Sequence, residues 1–340
     1  MKLHPAIEKV ATRRDLDTAE MEAVMRAIML GQATPAQIAA ILVALRMKGE
    51  TVDEIAAAAR VMREFATPVQ IDLPHLVDIV GTGGDGSHTF NISTTAAFVI
   101  AAAGGKVAKH HNRSVSSRSG SADVLELAGV KLGLAPDQVA QCVIEIGVGF
   151  MFAPVHHDAM RHAAGPRKEL GLRTIFNLLG PLTNPARIAN QLIGVYAREW
   201  VLPVAEVARK LGGGHVYVVH SEDGLDEISV SAPTFVAELR DGRIAEYQIA
   251  PEQFGIPRAD RGAITVGSAQ ESLEIMQAVL DNRPGPALDI VLLNAGAALG
   301  AAGIAGEMAV GIELARAAVT NGAAKHKLAQ LVRLTKQLAG

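Results

Sequence analysis

The chain has 340 residues, of which 49% are hydrophobic and 20% are charged, with a formal net charge of −3 at pH 7. That length predicts about two domains, and the composition is that of a globular protein with a substantial core rather than a disordered one. The slight negative charge gives no general footprint for nucleic acid. The single cysteine, Cys142, excludes an internal disulfide, and no zinc-binding pattern surrounds it.

Nothing in the sequence predicts a membrane segment. Residues 1–5 lack the long apolar core of a signal peptide, and no run of about 18 uninterrupted apolar residues is present. The apolar run Ala287–Ala305 contains Asp289, Asn294 and many glycines, which favours a buried helix over a membrane span. We therefore expect a cytoplasmic protein with no membrane partner.

Residues 1–67 carry the start and stop signals of four helices. Pro5 can begin the first helix, because position N1 tolerates a missing N–H. Capping-box pairs predict the next three helix starts: Asp17 with Glu20, Thr34 with Gln37, and Thr51 with Glu54. Gly31 can end the second helix and Thr67-Pro68 ends the block. This pattern predicts a small helical domain over residues 1–67.

Strands and helices alternate in the rest of the chain, which predicts an α/β domain over residues 72–340. The strand-like runs are Leu76–Val80, Lys106–Lys109, Gln191–Tyr196, His215–His220, Ile228–Ser231, Phe235–Leu239 and Ile244–Ile249. The helix candidates are Thr95–Ala103, Ala122–Leu127, Pro136–Ile146, Trp200–Leu211 and Ser272–Leu280.

A glycine-rich loop follows the first strand. It contains four glycines in six residues, Gly81, Gly83, Gly84 and Gly86, and leads into a helix that Ser93 or Thr94 could cap. Backbone N–H groups and the helix dipole converge at such a junction, so the loop predicts a phosphate or pyrophosphate site. The alternative is a tight strand-to-helix turn, and the stretch matches neither the dinucleotide nor the Walker fingerprint.

A second polar cluster, Lys109–Asp123, follows the run Lys106–Lys109 and is rich in hydroxyl and cationic groups that suit phosphate oxygens. A solvated serine-rich loop is the alternative. The pairs His110/His111 and His156/His157 are not expected to bind a transition metal, since adjacent side chains point apart and no third ligand has suitable spacing.

Acidic and basic residues add two further candidates. Asp226 and Glu227 could hold Mg²⁺ through their carboxylate oxygens, or could form an ordinary acidic turn. Arg167 and Arg173 could each grip a carboxylate, or could form surface ion pairs of little energetic value.

Taken together, these motifs resemble the signature loops of the anthranilate phosphoribosyltransferase family, in order and with matching spacing from about residue 5 to 335. The matching stretches are Gly81–Asp85, Asn91–Thr94, Lys109-His110, Asn112–Ser114, Ser119–Asp123, Met151–Pro154 with His157, Arg173–Pro185 and Asp223–Glu227.

The resemblance implies an α/β protein of the nucleoside phosphorylase/phosphoribosyltransferase-like fold, with a small helical N-terminal domain hinged to a larger α/β domain. It implies that a segment near residues 167–182 returns to the helical domain, and that the protein is a homodimer. The implied reaction joins anthranilate to 5-phosphoribosyl 1-diphosphate and releases pyrophosphate, with Mg²⁺, in tryptophan biosynthesis.

The resemblance also implies the roles of individual residues. Phosphoribosyl diphosphate would contact Gly81, Gly83, Gly84, Asp85, Thr89, Asn91, Ser93, Thr94, Lys109, Ser116 and Ser121. Anthranilate would contact Gly81, His110, Asn112, Pro154, Met160 and Arg167, and the metal would be held by Ser93, Asp226 and Glu227. No residue is expected to act as a nucleophile or base, because the attacking aromatic amine is neutral.

One residue departs from the family pattern. His111 stands where a glycine is expected, and its side chain could strain the backbone or narrow the anthranilate channel. We therefore expect reduced anthranilate affinity.

Two alternatives stay open. A pyrimidine nucleoside phosphorylase of the same fold would carry a Lys-His-Ser-Thr-Gly-Gly loop, whereas this chain has Asp78–Gly84 there. A non-catalytic relative that binds nucleic acid would need a basic face, which the net charge and the pair Asp226/Glu227 disfavour.

Overall fold

The structure is a computed structural model and describes residues 3–112 and 119–340. The N-terminal block contains four helices: α1 (His4–Ala11), α2 (Thr18–Met29), α3 (Pro35–Lys48) and α4 (Val52–Phe65). The three predicted capping boxes are confirmed, since Asp17, Thr34 and Thr51 each accept the backbone N–H three residues later. Gly31 follows α2 with a φ of +69°, a left-handed conformation in which a helix can end.

The remainder of the described chain contains seven strands and eleven further α-helices, besides four short 3₁₀ helices. The strands are β1 (Leu76–Gly81), β2 (Lys106–His111), β3 (Val148–Phe152), β4 (Gln191–Gly194), β5 (His215–Ser221), β6 (Thr234–Arg240) and β7 (Arg243–Ile249). The helices are α5 (Ile92–Ala102), α6 (Ser121–Leu127), α7 (Pro136–Ile146), α8 (Ala153–His156), α9 (Arg161–Leu170), α10 (Ile175–Leu182), α11 (Val201–Lys210), α12 (Ala269–Leu280), α13 (Pro286–Ala301), α14 (Met308–Thr320) and α15 (Ala323–Leu338).

The strands form one sheet in the order β3-β2-β1-β4-β5-β6-β7. The first five are parallel, and β6 and β7 add an antiparallel hairpin. From β1 the chain adds β2 and β3 on one side and then β4 to β7 on the other side, so the strand order reverses at β1. Open α/β sheets bind ligands at the carboxyl ends of the strands beside such a switch point. The glycine-rich loop leaves β1 at this position.

Two apolar cores cover the two faces of the sheet. Helices α5, α7, α12, α13, α14 and α15 contribute to one core. The other core contains α11 together with α1–α4, and α9 packs on α3 while α10 packs on α4. The fold class is confirmed: a helical N-terminal domain accompanies a larger α/β domain.

Several sequence predictions are corrected by the structure. Strand β3 was not expected, and the run Ile228–Ser231 is not a strand. Helix α5 begins at Ile92 with Asn91 in the N-cap position, so Ser93 and Thr94 lie in the first turn and do not cap the helix. The buried helix expected near Ala287–Ala305 is confirmed as α13. Among residues 3–112 and 119–340, no helix is both long and apolar enough to cross a bilayer.

Glu54 ties the start of α4 to the rest of the helical block. It is fully buried, and its carboxylate accepts the backbone N–H groups of Leu16 at 2.9 Å and Thr51 at 2.8 Å. Lys48 Nζ donates to the same carboxylate at 2.9 Å. A buried charge with this many donors is stabilising only while all of its partners stay in place.

We predict that Glu54→Ala lowers the free energy of unfolding by about 3 kcal/mol, because two backbone donors and Lys48 lose a buried partner. Urea unfolding of the parent and variant measures this loss. Glu64→Ala is the control, since Glu64 pairs with Arg26 at the surface, and it should change stability little. Equal stability of the parent and Glu54→Ala would contradict the account.

Candidate active site

The glycine-rich loop and the acidic segment after β5 are built against each other. The N–H of Gly83 donates to Asp226 Oδ2 at 2.7 Å. A Cβ at Gly81 would overlap the Asp226 carboxylate, and a Cβ at Gly194 would overlap the Asp226 backbone. These two glycines are therefore required by close approach rather than by a turn. Gly194 was not singled out in the sequence, although a glycine at the end of a buried strand signals such an approach.

Asp226 and Glu227 are neighbouring acids that remain partly exposed to solvent. Burial raises the pKa of Asp226, and the nearby charge of Asp85 raises it further. Burial raises the pKa of Glu227, and the charge of Asp226 adds to that shift. Three carboxyl groups thus crowd one small volume, an arrangement that disfavours their charged forms unless a cation is present.

The donor set at this position fits Mg²⁺. Mg²⁺ prefers hard oxygen ligands and is commonly held by one or two carboxylates together with substrate phosphates and water. Asp226 and Glu227 supply the carboxylates. Their raised pKa values indicate repulsion between negative charges, which a bound divalent cation would reduce. Within the described ranges, no group of three or more His, Cys, Asp and Glu side chains is arranged to hold a metal without such a ligand.

Lys109 and Ser93 lie near the acid pair and are hydrogen-bonded to each other. Lys109 is 2% exposed, and its Nζ donates to the Ile79 carbonyl and to Ser93 Oγ, the latter at 3.1 Å. Burial lowers the pKa of Lys109, while the negative charges of Asp78, Glu227 and Asp226 oppose that shift. A hydrogen bond from the Ser93 backbone lowers the pKa of Glu227. The first turn of α5 therefore faces the acid pair with both backbone and side-chain groups.

The remaining predicted diphosphate residues surround the start of α5. Asn91 Oδ1 accepts from Ser119 Oγ at 2.7 Å and from Ser272 Oγ at 2.7 Å. Thr94 Oγ1 donates to Ser121 Oγ at 2.8 Å. Thr89 forms an isolated bridge with Thr265, which anchors the far side of the loop. Ser116, Arg113 and Ser114 lie outside the described residues. Ser119 belongs to the predicted cluster Lys109–Asp123, although its contact with Asn91 was not foreseen. Ser272 was not predicted as a site residue, and its distance along the chain from Asn91 gives no local signal.

The glycines give the loop its curvature. Gly83, Gly84 and Gly86 have φ values of +67°, +74° and +72°, which L side chains rarely adopt. Asp85 turns back into the loop, where its carboxylate accepts from the N–H of Ser87 at 3.1 Å. Arg173 was expected to grip a carboxylate, but its guanidinium donates to the Gly84 carbonyl and lies over the Tyr196 ring, 4.6 Å from the centroid.

Most of the predicted anthranilate residues lie in or after the neighbouring parallel strands β2 and β3, while Gly81 ends β1 and Arg167 lies in α9. The His110 ring lies 4.9 Å from the His157 ring, centroid to centroid, and His110 Nδ1 faces the Gly180 carbonyl at 3.4 Å. Asn112 follows β2, Pro154 lies in α8, and Met160 precedes α9. The Arg167 guanidinium, on α9, lies over the Phe176 ring of α10, 4.9 Å from the ring centroid.

Burial keeps both histidines neutral near pH 7. It lowers the pKa of His157 to about 4, with a further contribution from His156. The pKa of His110 is also lowered well below its usual value, by burial first and then by His157 and His111. Nε2 of His110 and Nε2 of His157 are buried without a hydrogen-bond partner among the residues the structure describes. Such atoms are expected where a polar ligand binds.

His111 lies within β2, where the backbone is extended, so the residue carries no glycine-specific strain. Its ring lies 5.6 Å from the Phe150 ring and 5.8 Å from the Phe152 ring. Successive side chains of a strand point to opposite faces, and His111 therefore lies on the face opposite to His110.

Two family models match the chain and define it as a member of a glycosyl transferase family. The "Glycosyl transferase family, helical bundle domain" matches residues 4–66, and the "Glycosyl transferase family, a/b domain" matches residues 73–325. Anthranilate phosphoribosyltransferase of Thioalkalivibrio sulfidiphilus is 61% identical over 98% of this chain and 99% of its own length. The Methylococcus capsulatus enzyme of the same name is 57% identical over 100% and 99%.

Solved structures of anthranilate phosphoribosyltransferases have the same fold as this chain. Anthranilate phosphoribosyltransferase from Thermus thermophilus superimposes with a TM-score of 0.92 at 44% identity and covers 97% of this chain and 99% of its own. The Saccharomyces cerevisiae enzyme, in complex with PRPP and Mg, gives a TM-score of 0.90 at 27% identity, with 98% of each chain covered. The chain belongs to the anthranilate phosphoribosyltransferase family, and the resemblance seen in its loops is confirmed.

We predict that His111→Gly lowers the free energy of unfolding by about 3 kcal/mol, because a buried ring is lost. The Michaelis constant for anthranilate should stay within about twofold of the parent value, since the His111 ring lies on the opposite face of the strand from His110. Urea unfolding and steady-state kinetics measure the two effects. His111→Phe, which keeps the ring contacts, should retain most of the stability. Tighter anthranilate binding in His111→Gly, with no loss of stability, would instead support the narrowed channel expected from the sequence.

Proposed function

We propose that this protein transfers the 5-phosphoribosyl group from 5-phosphoribosyl 1-diphosphate to the amine of anthranilate, giving N-(5-phosphoribosyl)anthranilate and pyrophosphate in tryptophan biosynthesis. The observation that carries the proposal is the joint site of a glycine-rich loop and the acid pair Asp226 and Glu227, linked by the hydrogen bond from Gly83 to Asp226. Relatives named anthranilate phosphoribosyltransferase, 56–61% identical over nearly the whole chain, support the assignment.

The diphosphate would lie on Gly81, Gly83 and Gly84 and against the first turn of α5. Backbone N–H groups and the positive end of the helix dipole stabilise an anion there. Asp226, Glu227 and Ser93 would hold Mg²⁺, which when bound supplies positive charge to the leaving diphosphate. Further diphosphate contacts are proposed for Asp85, Thr89, Asn91, Thr94, Lys109, Ser116 and Ser121.

Anthranilate would lie between the carboxyl ends of β2 and β3 and the helical block. The orphaned Nε2 atoms of His110 and His157 face a polar ligand in this proposal, and Arg167 supplies a cation for the anthranilate carboxylate. Gly81, Asn112, Pro154 and Met160 complete the subsite. Because burial keeps His110 and His157 neutral, they orient the substrate and do not add charge.

The chemistry is a substitution at the anomeric carbon of the ribose. The amine nitrogen forms a bond to that carbon with its lone pair, and the bond to the diphosphate oxygen breaks with its electrons leaving on the diphosphate. The protonated secondary amine then loses one proton, which the departing diphosphate or water takes up. The chain contributes orientation of the amine behind the carbon and stabilisation of the departing charge. Neither contribution needs a protein nucleophile.

The domain division and assembly are part of the proposal. Residues 1–67 would form the helical domain and residues 72–340 the α/β domain, with a hinge between them. A segment near 167–182 would return to the helical domain, and the packing of α9 on α3 and of α10 on α4 supports this return. Ile7, Val43, Ala44 and Met47 line an apolar groove between α1 and α3, and Met47 is 71% exposed. We assign this groove to a homodimer interface, and the assembled enzyme to the cytoplasm.

The function is tested by the loss of anthranilate fluorescence on addition of 5-phosphoribosyl 1-diphosphate and Mg²⁺, with and without a chelator. Metal-dependent loss of fluorescence is expected, and thymidine or uridine with phosphate should give no product. A folded protein that does not consume anthranilate would contradict the function.

We predict that Asp226→Asn combined with Glu227→Gln abolishes turnover while the fold is retained, because neutral amides remove the anionic oxygens that would hold Mg²⁺. Turnover and circular dichroism measure the two properties. Asp241→Asn with Glu246→Gln is the matched control, the same chemical changes on the exposed β6–β7 hairpin, and should keep full activity. Full turnover without Asp226 and Glu227 would refute the metal role.

The dimer is tested by sedimentation velocity. The parent is expected at twice the chain mass of 35.6 kDa, and Met47→Glu should shift it toward the monomer, since a charge in an apolar contact is unfavourable. Glu246→Lys, a charge change on the exposed hairpin, serves as the control. A monomeric parent would contradict the assignment.

A further inference from the structure

Asp226 and Glu227 lie in a segment without regular structure. The chain leaves β5 at Ser221 and enters β6 at Thr234, and residues 222–233 between them form no helix or strand. The two acids and Asp85 repel one another, so the segment needs anchors that hold both carboxylates in place.

One anchor comes from the middle of α13. Asn294 Oδ1 accepts the backbone N–H of Ile228 at 2.9 Å, and Asn294 Nδ2 donates to the Ile228 carbonyl at 2.9 Å. The same Nδ2 donates to the Ile290 carbonyl at 2.8 Å. The amide thus pairs with both backbone groups of one residue, as a neighbouring strand would.

The surroundings of Asn294 argue that this contact is specific. The side chain is fully buried, and the residues around it on α13, from Ile290 to Ala301, are all buried and otherwise apolar. An amide in such a helix is unfavourable unless its hydrogen bonds are satisfied, and an apolar residue would be the ordinary choice for packing alone.

Ile228 directly follows Glu227. The N–H that Asn294 binds belongs to the same peptide plane as the Glu227 carbonyl, so this contact fixes the backbone from which the Glu227 side chain projects. On the other side of the segment, Asp223 Oδ2 accepts from Ser229 Oγ at 2.7 Å and Ser231 Oγ at 2.6 Å. The acid pair is therefore held between an internal polar cluster and α13.

We propose that Asn294 is a positioning residue for the carboxylates that would bind Mg²⁺, acting through the backbone of Ile228. The inference rests on the proposed function, since it gives Asn294 a role in the joint binding of Mg²⁺ and the diphosphate. Residues that orient metal ligands typically change metal affinity 10–100-fold when they are removed. Asn294 touches neither substrate in this account, so its loss should leave the anthranilate subsite intact.

The test is calorimetric titration of 5-phosphoribosyl 1-diphosphate into the parent and Asn294→Leu, with Mg²⁺ and with EDTA. Leucine has a similar volume and cannot pair with Ile228. We expect the dissociation constant to rise about tenfold or more with Mg²⁺ and to match the parent in EDTA. The Michaelis constant for anthranilate should stay within about twofold. Loss confined to the Mg²⁺ arm is a result that a purely structural role would not give.

The matched control is Asn190→Leu. Asn190 also bridges backbone groups, accepting the His215 N–H at 3.1 Å and donating to the Leu76 carbonyl at 3.4 Å, but at the amino ends of β1 and β5. Its loss should leave the Mg²⁺-dependent binding unchanged. Asn294→Ser is the second variant, because a serine hydroxyl can bond within its own helix but cannot reach Ile228, and it should show the same defect as Asn294→Leu.

Unchanged Mg²⁺-dependent binding in Asn294→Leu or Asn294→Ser would overturn the inference. So would an equal loss with Mg²⁺ and with EDTA, or unfolding of both variants, since each would make Asn294 a core residue only. Failure of the parent to bind 5-phosphoribosyl 1-diphosphate would instead overturn the proposed function.

Discussion

Asp226 and Glu227 are two partly buried acids adjacent in the chain, with Asp85 close enough to raise the pKa of both. Burial and like charge make this arrangement unfavourable in the absence of a cation. The surrounding backbone is shaped to impose it. Gly81 and Gly194 leave no room for a side chain against Asp226, and Asn294 fixes the residue after Glu227. The position of the glycine-rich loop follows from this constraint, since Gly83 donates to Asp226.

The two halves of the proposed site differ in polarity. The diphosphate half gathers charge, with the acid pair, Lys109 and the first turn of α5 in contact. The anthranilate half holds neutral rings, because burial depresses the pKa of His110 and His157. A reaction whose charge develops on the leaving group and whose attacking amine is neutral suits this division. Orientation of the amine then falls to side chains between the sheet and the helical block.

Local signals made much of this molecule predictable. Three helices of the N-terminal block begin at capping boxes, and each box uses residues only three positions apart. The hairpin β6–β7 was foreseen from the strand-like runs Phe235–Leu239 and Ile244–Ile249, and the turn between them has positive φ at Asp241 and Gly242. The glycine-rich loop and the acid pair were also found in the sequence, because their residue types are unusual in themselves.

Contacts between distant segments were not predictable in the same way. Strand β3 begins directly after the helix-ending Gly147 and is a run of five residues with Gly149 inside it, so it lacks the polar–apolar alternation that marks a strand. The run Ile228–Ser231 looks like a strand, but its backbone pairs with side chains of Asn294 and Thr234 instead of a neighbouring strand. Asn294 lies 66 residues from Ile228, and nothing nearby in the sequence connects them.

The central claim is that the acid pair and the glycine-rich loop hold a metal and a diphosphate together. The most direct measurement is a crystal structure with 5-phosphoribosyl 1-diphosphate and Mn²⁺ in place of Mg²⁺, read through the anomalous signal of the metal. The account predicts a peak at about 2.0–2.2 Å from carboxylate oxygens of Asp226 and Glu227, with the diphosphate over Gly81–Gly84. A metal bound away from both carboxylates, or a diphosphate bound away from the loop, would contradict it.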